Sequence, residues 1–121
     1  MKVTGEQMVD VAHLRQYTLG DAALEREVLH MFLEQCDLHM KRLRQAQTLE
    51  GWKESCHSLK GAASGVGAFQ LSAYAARLES LAPLPEENER ATLLDSLQKH
   101  VDSTGHAIIS HLDKNGATAS L

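Results

Sequence analysis

Leu49-Glu50-Gly51-Trp52-Lys53-Glu54-Ser55-Cys56-His57-Ser58-Leu59-Lys60-Gly61-Ala62-Ala63-Ser64-Gly65-Val66 decides the fold. Its apolar positions Trp52, Cys56, Leu59, Ala63 and Val66 advance by four, three, four and three, the spacing that puts side chains on one face of an α-helix. The segment therefore predicts a helix from about Leu49 to Val66 with that stripe buried, stopped by Gly65 and Gly67. Off the stripe, His57, Lys60, Gly61 and Ser64 stand at relative positions zero, three, four and seven. At about 100° per residue they form a second, exposed strip, which Lys53 joins one turn earlier.

The same periodicity extends outward. Upstream, Asp21 can cap a long helix whose Leu24, Val28, Met31, Phe32, Gln35, His39, Leu43 and Ala46, with Met31 and Phe32 side by side and the rest three or four apart, form one broad stripe. A short leading segment, Asp10 to Tyr17, carries Val11, Leu14 and Tyr17 at spacing three, takes Asp10 as its cap, stops at Gly20 and is expected to lid one end. Downstream, a helix from Ala68 to Ala82 places Leu71, Ala75, Leu78 and Ala82 on one face, and the short link before it implies an antiparallel neighbour. After the Pro83-Leu84-Pro85 corner, Glu86, Glu87 and Glu89 suit the start of a last helix. Leu94, Leu97, Val101, Ile108 and Leu112 line its inner face, and Asn115-Gly116 ends it.

A chain of 121 residues with 43% hydrophobic content can bury one ordinary core, and its wealth of Ala, Leu, Glu, Gln and Arg favours helix. The expectation is an all-α single domain spanning residues 1–121: an antiparallel four-helix bundle with a short additional N-terminal helix, ordered over about 8–114, with 115–121 as a flexible tail. A net charge of -4 argues against a nucleic-acid binder. The start, Met1-Lys2-Val3-Thr4, lacks the apolar core of a signal peptide, and no apolar run approaches membrane-spanning length. A cytoplasmic, free-standing monomer is expected, with Cys36 and Cys56 as buried reduced thiols.

The chemistry gathers on the exposed strip. Lys53 and Lys60 bracket His57 with positive charge on a chain that is acidic as a whole. Gly61 costs about 1 kcal/mol relative to alanine inside a helix, so something should need its missing side chain. Four residues after His57, it opens space for a large group to approach the imidazole.

The stretch Cys56-His57-Ser58-Leu59-Lys60-Gly61-Ala62-Ala63-Ser64-Gly65-Val66-Gly67 resembles the signature of histidine-containing phosphotransfer (HPt) domains, His-x-x-Lys-Gly followed by a second glycine. The resemblance continues into Leu71 and Arg77-Leu78-Glu79, and departs at Cys56, where the family more often has alanine. It implies a bundle in which His57 accepts a phosphoryl group from a receiver-domain aspartyl phosphate and passes it to another receiver. It also implies response-regulator receivers, and upstream a hybrid histidine kinase, as partners in a multistep phosphorelay of bacterial type. Family members carry Gln or Glu where the next helix meets the histidine, and Glu79 matches. Its carboxylate could accept from Nδ1–H and leave Nε2 as the nucleophile.

Such transfer depends on in-line positioning and charge neutralisation, which Lys60, and more weakly Lys53, can supply, while Ser64 lines the docking surface. No acidic cluster here suits Mg²⁺, which is expected in the receiver's own pocket, and no nucleotide-binding glycine loop is present, so no autonomous kinase activity is expected. The chain is read as a carrier rather than an enzyme. The rival reading is a helical interaction module without phosphotransfer; retention of His57, Lys60 and Gly61 argues against it. A metal-buffering bundle is the third. His100, His106 and His111 are six and five residues apart and His13, His30 and His39 are scattered, so no metal site is expected.

Overall fold

Thr48 opens the helix that carries His57: its Oγ1 accepts the Gly51 N–H at 3.0 Å, closing the first turn of that helix. The computed structural model describes residues 8–119, with side chains to residue 114, and no strand occurs among them. Its helices are α1 (Val11–Thr18), α2 (Ala22–Arg44), α3 (Leu49–Gly65), α4 (Phe69–Glu79) and α5 (Glu87–Ala119). Asp10 and Asp21 cap α1 and α2, accepting from His13 and Leu24 N–H at 3.1 and 3.0 Å.

Along α3 the predicted stripe is the buried one: Trp52, Cys56, Leu59 and Ala63 are inside, with Val66 just beyond. The Trp52 indole N–H donates to the Leu78 carbonyl at 2.8 Å and fastens α4 alongside. The turn between α3 and α4 is a Schellman motif. Ala68 N–H reaches Ala63 O at 2.8 Å and Gly67 N–H reaches Ser64 O at 3.1 Å, with Gly67 at φ +82. Gly67 O in turn accepts Asp10 N–H at 2.9 Å, so the start of α1 sits directly on this turn. Helices α2, α3, α4 and α5 pack in sequence and α5 returns to α2, closing an antiparallel four-helix bundle with α1 laid against α2. The inner line of α5 is Leu94, Leu97, Val101, Ile108 and Leu112, as its spacing predicts, with Thr104 filling the gap.

Four expectations need correction. Helix α2 is rotated: Leu29, Phe32, Cys36, His39, Met40 and Leu43 face inward, while Leu24, Met31 and Gln35 are exposed. It carries apolar residues on two adjacent lines, and the line with more of them takes the core. Tyr17 of α1 is exposed, because Leu14 and Thr18 fill the inner side of that short helix. Helix α4 ends at Glu79, capped by Ser80, leaving Ala82 exposed beside the prolines. Helix α5 does not stop at Asn115-Gly116 but runs to Ala119. A lone glycine costs a helix only about 1 kcal/mol, and no proline follows to enforce the stop. Of the expected tail, residues 120 and 121 lie outside the described residues.

Candidate functional site

His57 sits at the middle of α3 on the side that borders α4, with 68% of its side chain exposed. Glu79, the last residue of the antiparallel α4, arrives opposite it. The His57 Nδ1–H donates to Glu79 Oε2 at 3.0 Å. A carboxylate brings no proton of its own, so this contact keeps the hydrogen on Nδ1 and leaves the Nε2 lone pair as the ring's nucleophilic electrons.

The other oxygen of the same carboxylate, Oε1, receives the Lys60 ammonium at 2.8 Å. That ammonium first, and the imidazole N–H after it, outweigh partial desolvation and hold the Glu79 carboxyl below its ordinary value. Glu79 thus stays an anion shared by His57 and Lys60. Lys53 is placed differently from Lys60. Its ammonium donates to the Glu79 backbone carbonyl at 3.1 Å, satisfying an orphan acceptor at the α4 C-terminus. It reaches the strip by fixing the helix end that bears Glu79.

Gly61 lies exposed one turn beyond the ring, and a Cβ built there meets nothing within 4 Å. Packing therefore does not demand glycine, and its effect is an unobstructed approach beside His57. Ser64 is turned into the seam with α4. The Ser72 hydroxyl donates to Lys60 O at 3.0 Å, so Ser64 donates to Ser72 Oγ at 2.7 Å. Of the six residues singled out in the sequence, Glu79 bonds both His57 and Lys60, Lys53 and Ser64 tie the two helices together, and Gly61 lies exposed one turn beyond the ring.

Ser72 was not anticipated. Its signal is a small polar residue interrupting the inner face of α4, between Leu71 and Ala75 and buried like them. Cys56, next to the ring in sequence, faces the core, where burial foremost pushes its thiol up to about 12, and Cys36 is likewise buried and free. The other histidines are dispersed. His111 bonds Glu25, His39 bonds Gln35, His13 stacks with Tyr17 and Phe69, and His100 lies against Tyr74. Among the described residues no three His, Cys, Asp or Glu side chains converge as a metal site.

No helix among the described residues is long and apolar enough to cross a membrane. Comparison with curated proteins and with solved structures returns no match. A scan of family models matches the Hpt domain over residues 27–113, which takes in most of α2, all of α3 and α4, and nearly all of α5 up to residue 113, but not α1. This chain, a helical bundle with an exposed histidine on its third helix, belongs to the Hpt domain family.

Proposed function

We propose that the chain carries a phosphoryl group on His57 Nε2 between receiver domains of a multistep phosphorelay, acting as a cytoplasmic monomer. The observation that carries this reading is the contact of Nδ1–H with Glu79 on a ring left open to solvent. The Nε2 lone pair attacks the phosphorus of a receiver's aspartyl phosphate. The P–O bond to the aspartate breaks with its electron pair returning to that carboxylate, and the ring becomes a phosphoimidazolium that retains its Nδ1 proton. Glu79 stands opposite that new positive charge. Delivery to the next receiver reverses the step, with the P–N electron pair returning to Nε2.

Lys60 lies in contact with the Glu79 carboxylate, within reach of the incoming phosphoryl oxygens, and exchanges one anion for the other as charge develops. Mg²⁺ belongs to the receiver's acidic pocket, and a hybrid histidine kinase upstream supplies the phosphoryl group through its own receiver. Without a receiver the imidazole is inert, so the chain is a carrier and has no kinase activity of its own.

The test mixes the purified chain with a phosphorylated receiver and Mg²⁺ and follows acid-labile, alkali-stable phosphate. Wild type should label and His57→Gln should not. Equal labelling of the two would remove His57 from the reaction, and a wild type that binds receivers without labelling would make the chain an interaction module.

A further inference from the structure

Tyr17 and Phe69 are large aromatic side chains left 64% and 46% exposed. The chain has only five Phe, Trp and Tyr residues. Phe32 and Trp52 are buried, and Tyr74 is half-buried with the Arg77 guanidinium over its ring. The two exposed ones meet at one place, through His13, whose ring packs edge-on to Phe69 at 5.1 Å and to Tyr17 at 5.5 Å between centroids. The aromatic corner joins α1 to the start of α4, directly beside the turn where Asp10 N–H bonds Gly67 O.

This corner is continuous with the His57 seam. Phe69, Ser72, Ala76 and Glu79 advance by three, four and three along α4, which puts them on one edge. Ser72 and Glu79 show which edge it is, since both bond to α3. Phe69 is ten residues from Glu79, about 15 Å at the rise of an α-helix. A standard interface covers about 800 Å² on each partner, a disc of roughly 16 Å radius when centred on His57. On the way from His57 to the corner, Gly61, Gly65 and Ala73 are exposed and Ser64 and Ala76 half-buried, all of them small, while the Lys60 ammonium is drawn to Glu79. A globular partner of standard footprint centred on His57 extends over this ground, and aromatic side chains at its margin are the residue types that anchor protein interfaces.

We propose that His13, Tyr17 and Phe69 form an aromatic docking corner that a receiver domain covers while its aspartyl phosphate is at His57. The proposal rests on the phosphotransfer reading above and adds α1, which lies outside the family-matched residues, to the recognition surface. The corner contributes to encounter and residence, and touches no reacting atom.

The probe is the receiver, among those of the same organism, that passes its phosphoryl group to the chain fastest. Tyr17→Ala combined with Phe69→Ala should raise KM for the phosphorylated receiver at least tenfold and leave kcat within twofold. Tyr17→Phe and Ile109→Ala, the latter an exposed apolar residue on α5, should behave as wild type. In parallel, adding unphosphorylated receiver to ¹⁵N-labelled wild-type chain should shift the amide signals of His13, Tyr17 and Phe69 together with those around His57, a readout independent of how the variant folds. Unchanged KM in a folded double variant, or a shift map that stops short of α1 and Phe69, overturns the corner while labelling of His57 stands. If the wild-type chain neither labels nor binds any receiver, the phosphotransfer reading and the corner fall together.

Discussion

At the scale of single residues the site is an arrangement of one glutamate among three donors, two on its carboxylate and one on its backbone carbonyl. Glu79 offers Oε2 to His57, Oε1 to Lys60 and its backbone carbonyl to Lys53, so one residue at a helix end sets a tautomer, holds a cation and is itself held. Gly61 is the complement, a residue whose contribution is what it leaves out. Because a Cβ at Gly61 meets no atom within 4 Å, a larger side chain projects into the approach to His57 and not into the core. Gly61→Leu should therefore preserve the fold and raise its stability by up to about 1 kcal/mol, the helix-propensity gain over glycine. It should also slow phosphoryl transfer from a receiver at least tenfold. Urea denaturation and rapid-quench transfer measured on the same preparation check both halves. Unfolding would assign Gly61 to packing, and an unchanged rate would remove it from the approach path.

At the scale of elements, legibility followed how much of an element's environment its own residues specify. Helix α3 was read correctly in extent and face because its apolar residues fall on a single line from Trp52 to Ala63, and the strip of His57, Lys60, Gly61 and Ser64 followed from that register. Helix α2 was misplaced by a fraction of a turn because Leu24 and Met31 lie on a second apolar line, and only its neighbours decide between the two. The Glu79 contact was reached through resemblance, since no local pattern ties residues 57 and 79. Ser72 and the corner of His13, Tyr17 and Phe69 depend on which helices meet, which no single segment states. Gly67 shows the same division. Its role as a stop was visible, whereas its contact with α1 was not: a Cβ there would stand 2.6 Å from Asp10 O. Gly67→Ala should thus cost about 2 kcal/mol or more, combining the left-handed penalty of about 1–2 kcal/mol with that clash. Gly20→Ala is the internal control, because Gly20 has φ +80 with nothing within 4 Å and should lose only the conformational part. Equal losses in the two denaturation midpoints would mean that α1 does not press on the α3–α4 turn.

At the scale of the whole molecule, charge is buried where helices must be fastened. Glu25 of α2 is 4% exposed and joins three helices: Oε1 receives Arg15 Nε of α1 at 3.1 Å and Oε2 receives His111 Nε2 of α5 at 2.9 Å. Burial pushes its carboxyl up, but the hydrogen bonds from His111 and Arg15 and their charges outweigh burial, and the net value lies below the ordinary 4.5. His39, buried on α2 with its ring bonded to Gln35, is lowered from 6.5, by burial first and by Arg42 second. In both groups the unfolded chain takes up the proton before the folded one. Each therefore supplies stability that is complete above its unfolded value and lost as pH falls toward its folded value. Stability should be level between about pH 6.5 and pH 8, decline below that range as unfolding lets His39 protonate, and decline again below pH 4.5 through Glu25, with Glu79 adding to that second step. Glu25→Gln should be less stable than wild type at pH 7 by about 2 kcal/mol, the worth of hydrogen bonds to a charged partner. The gap should close as pH drops below 4.5, where wild type loses the same carboxylate. His39→Gln should flatten the upper decline and leave the lower one intact. Urea midpoints measured from pH 3 to pH 8 separate the two steps, and a Glu25→Gln gap that stays constant across the lower step would show that the carboxylate joining α1, α2 and α5 does not stabilise the fold through its charge.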